Sequence, residues 1–118
     1  MLEGGTRLPD KFKTFDFYDS STRTATSLKS IDLALKSYRD ASYLGSKLRK
    51  YINEAADFTT WTRRRFTLDE SMIGTRDLTV AIPDVFVTSG QWNALYNAYQ
   101  YGLGLENPVS VQYLVVTG

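Results

Sequence analysis

Two runs with a two-residue period, Lys13 to Tyr18 and Arg23 to Lys29, are separated by only four turn-forming residues, so the fold has to accommodate a tight antiparallel hairpin near its start. In the first run Phe15 and Phe17 alternate with Thr14, Asp16 and Tyr18, which predicts a strand with Asp16 turned away from the core side. Asp19-Ser20-Ser21-Thr22 carries turn chemistry, and the second run, rich in Thr, is the returning strand. Ser27 and Lys29 then share a face. A carboxylate on one strand and a lysine on the next can meet across this hairpin.

From about Ser30 the period changes. Leu44, Leu48, Tyr51, Ile52 and Ala55 fall on one helical stripe with Lys47, Arg49 and Lys50 largely off it, which predicts a long helical region broken near Ala41-Ser42 and weakened at Gly45. Trp61 to Leu68 and Arg76 to Ile82 read as two further strands, joined by residues 69 to 75. Thr88-Ser89-Gly90-Gln91 has the spacing of a capping box, and Trp92, Leu95, Tyr96 and Tyr99 then repeat at helical spacing before Gly102 and Gly104. Val109 to Val116 is the last strand, and its apolar end suggests burial on both faces. The order is β-β-α-β-β-α-β, an α+β single domain on one mixed sheet of about five strands with two main helices.

A chain of 118 residues leaves no room for a second domain, and residues 1 to 11 read as a flexible lead-in. Met1-Leu2-Glu3-Gly4-Gly5 lacks the features of a signal peptide, and no apolar run approaches the ~18 residues of a membrane span. With no His and no Cys, imidazole bases, thiol nucleophiles and Cys/His zinc sites are excluded. Chemistry is left to carboxylate, ammonium, guanidinium and hydroxyl groups. Net charge is +1 but unevenly spread: residues 23 to 65 hold ten Lys and Arg against four acidic residues, whereas residues 66 to 118 hold Arg76 against Asp69, Glu70, Asp77, Asp84 and Glu106. The first part is a candidate polyanion surface, in which Arg63-Arg64-Arg65 after Trp61 could combine phosphate attraction with base stacking, and Arg76 is a second candidate for phosphate contact.

An Asp on one strand and Ser27-x-Lys29 on the next have the layout of a nuclease site of the PD-(D/E)xK kind. A carboxylate binds a hard divalent cation, the cation lowers the pKa of bound water and offsets phosphate charge, and the lysine orients the nucleophile or stabilises the pentacovalent oxygens. Ser27 stands where that pattern has Asp or Glu, which removes one charge from the metal site. Each of these residues also has an ordinary structural reading, as a turn partner, a strand hydroxyl and a solvated charge.

The run Leu8-Pro9-Asp10-Lys11-Phe12-Lys13-Thr14-Phe15-Asp16-Phe17-Tyr18-Asp19, then 25 to 33, then Ser71-Met72-Ile73 with 76 to 83 and Gln91-Trp92, resembles the C-terminal nuclease toxin domain of CdiA-type contact-dependent growth inhibition effectors. The resemblance implies a toxin carried at the end of a large secreted effector, acting in the cytoplasm of a neighbouring bacterium as a tRNA-cleaving endoribonuclease, and silenced by a cognate immunity protein. Carried over by position, Asp16, Ser27 and Lys29 are the catalytic candidates, with Asp16 and Asp19 as ligands of a divalent metal, Mg²⁺ by expectation, and Thr26 beside them as a substrate contact. Relatives place a helix with a catalytic Glu ahead of the Leu-Pro-x-x-Phe-Lys segment, so this segment alone is expected to bind without cutting if that Glu is required. Two alternatives stay open: a barnase/EndoU/colicin/RelE-like fold cleaving RNA without metal, and a non-catalytic module docking a protein through its acidic second half.

Overall fold

A computed structural model of the chain describes residues 6 to 117. Seven strands, β1 (Thr6–Arg7), β2 (Phe17–Asp19), β3 (Thr24–Ser30), β4 (Thr60–Arg63), β5 (Phe66–Asp69), β6 (Thr75–Pro83) and β7 (Val109–Val116), accompany two helices, α1 (Ala41–Asp57) and α2 (Ser89–Leu103). Five strands form one mixed sheet in the order β1-β2-β3-β6-β7, while β4 and β5 pair separately. β1, β2 and β3 are antiparallel; β3, β6 and β7 are parallel. The α+β class and the five-stranded mixed sheet with two helices are those the sequence predicts.

The parallel register sets Ala25 beside Arg76, Ser27 beside Leu78 and Lys29 beside Val80, so these six side chains share one face of the sheet. α1 and α2 pack on that face. The predicted stripe of α1 is buried at Leu44, Leu48, Ile52 and Ala55, whereas Tyr51 stands half-buried at its rim. The anticipated break near Ala41 is the true start of α1: the Asp40 carboxylate accepts from the N–H groups of Ser42 at 2.9 Å and Tyr43 at 3.3 Å. Residues before it form a short 3-10 turn, Lys36–Arg39, after Ile31 and Leu33 have entered the core.

The capping box forms as its spacing predicts. Thr88 Oγ1 accepts from Gln91 N–H at 3.1 Å, Gln91 Oε1 accepts from Thr88 N–H at 3.0 Å, and the wholly buried Gln91 amide also donates to Leu33 O and Tyr38 O at 2.9 Å each. One side chain thus starts α2 and ties it to the segment entering α1. Gly102 does not stop the helix; it lies inside it, where a Cβ would meet Val109 O at 2.5 Å, so the close approach of α2 to β7 requires glycine.

Four expectations are corrected by the fold. Trp61 to Leu68 is not one strand but the hairpin β4–β5, with Arg64 (φ 51°) and Arg65 (φ 68°) both left-handed at its turn. Two such residues suit the right-handed twist of the flanking strands, but Arg gives none of the Asn-Gly signal that normally marks them. β7 is an edge strand: Val109 and Val111 are buried, but Leu114, Val115 and Val116 are about half exposed, with no further strand outside them among the described residues. Residues 6 to 11 are part of the fold, with Thr6 and Arg7 paired to Tyr18 and Phe17 and Leu8 buried; the rest of the proposed lead-in, residues 1 to 5, lies outside the described residues. The first strand is shorter than Lys13 to Tyr18: β2 covers only Phe17–Asp19, because residues 13 to 16 form a bend, so Asp16 precedes the strand and Asp19 belongs to it and not to the turn.

Candidate functional site

Asp16 is carried at the entry to β2 by main-chain hydrogen bonds on both sides, donating to Thr26 O and accepting from Leu8 N–H, each at 2.8 Å. Its carboxylate turns onto β3, where Oδ2 accepts from the Leu28 N–H at 2.8 Å. Leu28 lies between Ser27 and Lys29. The hairpin therefore brings the Asp16 carboxylate to the strand segment that carries both other catalytic candidates. The chain reaches this position through a γ-turn-like bend in which Phe15 N–H donates to Lys13 O at 2.7 Å across Thr14 at φ 68°. A β-branched residue with positive φ is uncommon and costs on the order of 1–3 kcal/mol, which packing of the wholly buried Phe15 against Phe58 offsets.

Lys29 follows the buried residues Ala25 and Ser27 along the helix-facing side of β3 and emerges at the rim, where its Nζ lies 5.0 Å from the centroid of the Tyr51 ring. There it lines a cleft of about 570 Å³ between the sheet and α1, with Lys13, Lys50, Asn53, Glu54 and Thr59 among its walls. The β4–β5 hairpin borders the same region, since Lys13 Nζ lies 5.4 Å over the Trp61 ring. Sequence reasoning missed Lys13, Tyr51 and Asn53. The helical period marks Tyr51 as core, and nothing local shows that a lysine from β3 reaches it.

The other candidates are placed elsewhere. Asp19 lies three residues beyond Asp16, about 10 Å along the chain at the usual rise per residue, and pairs with Thr24 at the turn end of β3. Its carboxylate is held below the usual range mainly by the Ser21 hydroxyl, which donates at 2.7 Å, and it serves the turn. Arg76 is buried: its Nη1 lies within hydrogen-bond reach of Ala55 O at 2.7 Å and of Ala56 O and Phe58 O at 2.9 Å each. It satisfies the orphan carbonyls at the end of α1 and is not available to a phosphate. Burial pulls its pKa down, against the attraction of Glu70 and Asp57. Arg63 donates through Nε to Asp10 O at 3.3 Å, while Arg64 and Arg65 are exposed.

Thr26 faces the opposite side of the sheet and is buried, its hydroxyl 3.4 Å from the Asp77 carboxylate, which also accepts from Thr79 at 3.2 Å. The second oxygen of Asp77 has no partner, and burial pushes its pKa up. A carboxyl with a raised folded-state pKa binds its proton more tightly when folded. Its contribution to stability is therefore full at low pH and is lost as pH rises from the ordinary carboxylate range through the raised value. Asp77→Asn is expected to raise stability at pH 7 and to flatten that fall, which urea unfolding at pH 4 to 8 measures; an equal or larger fall in the variant would assign the pH dependence to other groups.

Among the described residues no group of three or more Asp, Glu, His or Cys could hold a metal ion. A divalent cation fits this site only as a partial one, with Asp16 the single carboxylate and water and phosphate oxygens completing the shell, the way Mg²⁺ is commonly held.

A five-stranded mixed sheet with two helices on one face, whose central strand β3 receives the Asp16 carboxylate and carries Lys29 to a cleft of mixed charge beside α1, fits the restriction endonuclease-like class of α+β domains. Residues 2–113 match the sequence profile of the CDI toxin restriction endonuclease-like domain, and the chain belongs to that family. It is 37% identical over 102 residues to the deoxyribonuclease CdiA-o11 of Escherichia coli O157:H7 (strain EC869), covering 86% of this chain and 27% of that protein. It is 32% identical over 102 residues to the deoxyribonuclease CdiA of Yersinia pseudotuberculosis serotype O:3 (strain YPIII), covering 86% of this chain and 9% of that protein. The chain thus spans about a quarter and about a tenth of these relatives. The solved CdiA-CT/CdiI toxin and immunity complex from Yersinia pseudotuberculosis superposes with a TM-score of 0.81 at 30% identity, over 98% of this chain and 92% of that one.

These findings correct two expectations. The fold is restriction endonuclease-like, which removes the barnase/EndoU/colicin/RelE alternative. Both relatives are named deoxyribonucleases, which overturns endoribonuclease action on tRNA. Hydrolysis by a carboxylate-held metal and a lysine would make no use of the 2′-OH, the group by which RNA is told from DNA, so the site residues carry no signal for RNA. Asp16, Ser27 and Lys29 are silent on that choice. No helix among the described residues is long and apolar enough to cross a membrane.

Proposed function

We propose that this chain is a deoxyribonuclease toxin domain that hydrolyses phosphodiester bonds of DNA in a neighbouring bacterium, carried there at the end of a larger effector and silenced by a cognate immunity protein. The observation that carries this reading is the Asp16 carboxylate seated on the Leu28 N–H, between Ser27 and Lys29. Asp16 would hold a divalent cation, with Ser27 beside it, and a bound cation supplies an activated water and offsets phosphate charge. Lys29 faces the scissile phosphate and stabilises the charge that develops on its oxygens. Asp16 is kept in place by a hydrogen bond to main chain, so its aim does not depend on substrate.

Lys13, Lys50 and the hairpin tip, with Arg64 and Arg65 exposed and Arg63 half-buried beside them, supply the flanking phosphate contacts. Neutralising the three arginines together is expected to weaken DNA affinity and flatten its salt dependence by about 0.9 in log–log slope for each phosphate that they neutralise in the parent chain. A slope identical to that of the parent chain would return the hairpin tip to plain solvent exposure.

The direct test incubates purified protein with supercoiled plasmid and with total tRNA, in Mg²⁺, in Zn²⁺ and in EDTA, using both this segment and a longer effector C-terminus that includes the residues ahead of it. Metal-dependent loss of plasmid with intact tRNA is expected. Plasmid left whole by the longer protein under every metal condition would end the deoxyribonuclease reading.

A further inference from the structure

Among the described residues Lys29 is the one lysine that reaches the cleft from the sheet, and its ammonium rests against an aromatic ring. Its Nζ lies 5.0 Å from the centroid of Tyr51, and Lys47 Nζ lies 5.6 Å from the same ring. Glu54 and Asp57 line this cleft as well, yet among the described residues Lys29 makes no ion pair within 4.0 Å with either. The difference matters chemically. A carboxylate partner would occupy the ammonium's N–H donors and cancel its charge, whereas the face of a ring attracts the charge and leaves the donors free.

With Lys29 as the phosphate-facing group of the proposed site, we propose that Tyr51 is its positioning residue, holding the ammonium at the mouth of the cleft with its N–H donors open to a phosphate oxygen. The helix supplies the ring at a fixed height, because Tyr51 lies next to the wholly buried Ile52 and cannot shift along the sheet without moving that anchor. At its other end the lysine is anchored by the β3 backbone, two residues after Ser27, which is 1% exposed on the same face. A free lysine side chain has about 2 kcal/mol of rotamer entropy to lose when it is placed, and the ring removes part of that freedom before substrate arrives. The Tyr51 hydroxyl has no hydrogen-bond partner among the described residues, so the ring and not the phenol oxygen performs this task.

The experiment combines nuclear magnetic resonance with cleavage kinetics on the same effector C-terminus used for the activity test. In the parent protein the ring current should displace the Lys29 Hε resonances upfield of the random-coil position; the displacement should survive Tyr51→Phe and Lys47→Gln and vanish in Tyr51→Leu. Cleavage should fall about fivefold in kcat for Tyr51→Leu with DNA affinity in EDTA unchanged, and Tyr51→Phe should restore it. Lys29 Hε at its random-coil position in the parent protein overturns the proposal, as does Tyr51→Leu with parental kcat. Should Tyr51→Leu not fold, Tyr51→Met takes its place. Lys29→Ala separates the two levels: if it cleaves normally the site assignment itself fails, whereas an inactive Lys29→Ala beside a fully active Tyr51→Leu removes only the role of the ring.

Discussion

Lys29→Met and Asp16→Asn are each expected to lower DNA cleavage by roughly 10²- to 10³-fold while leaving the fold intact. Methionine keeps an unbranched stem and removes only the ammonium, so packing on β3 is retained while charge stabilisation at the phosphate disappears. Asparagine keeps an oxygen that can accept from the Leu28 N–H, which preserves the approach of β2 to β3, but it lacks the negative charge needed to hold a hard cation. The two changes therefore separate chemistry from structure better than alanine would. Plasmid linearisation by each variant, with circular dichroism as the check on folding, measures the effect. The two losses should not multiply, because removing either partner disables the same step. Activity within tenfold of the parent for either variant would move the reacting phosphate away from the Asp16–Lys29 pair.

What could be read from the sequence was whatever short-range chemistry decides. The turn that starts the β2–β3 hairpin, the stripe of α1 and the capping box of α2 depend on residues close in sequence, and all three are present, although the first strand covers only Phe17–Asp19 of the expected Lys13 to Tyr18. The shared face of Ser27 and Lys29 follows from the two-residue period alone. The approach of Asp16 to that strand could be expected from the hairpin, but its contact with the Leu28 N–H depends on a left-handed Thr14 that no glycine advertises. The β4–β5 hairpin was hidden for the same reason, its turn being built from Arg64 and Arg65. The apolar end of β7 looks like a strand with neighbours on both sides because an apolar run reports composition, whereas position in the sheet depends on the order of all five strands.

Tyr51 and Arg76 show the limit most clearly. Each has one partner or set of partners about twenty residues away, on an element whose approach is fixed only by the assembled core. Arg76 was open to two readings, as a phosphate contact or as a structural charge, because an arginine at the start of a strand looks the same in both. The fold decides for the second by placing three carbonyls around its Nη1.

Arg76→Met is accordingly expected to cost about 3 kcal/mol, one of the largest stability losses available from a single substitution in this chain. Methionine fills much of the arginine's volume but donates nothing, so Ala55 O and Phe58 O would be left at the end of α1 with neither a side-chain donor nor full solvent as partner, and Ala56 O would keep only the Asn107 amide at 3.2 Å. Lysine is not an adequate replacement, since a single ammonium on a shorter stem has to be desolvated at the same buried place without the planar spread of a guanidinium. Urea denaturation gives the size of the loss through a shift in midpoint at constant slope. The same variant also distinguishes the two readings of Arg76. At low temperature, where the weakened protein is still folded, a structural Arg76 predicts parental DNA affinity and an unchanged salt slope, whereas a phosphate contact predicts a slope lower by about 0.9. A variant as stable as the parent but with that lower slope would reverse the assignment drawn from the α1 carbonyls.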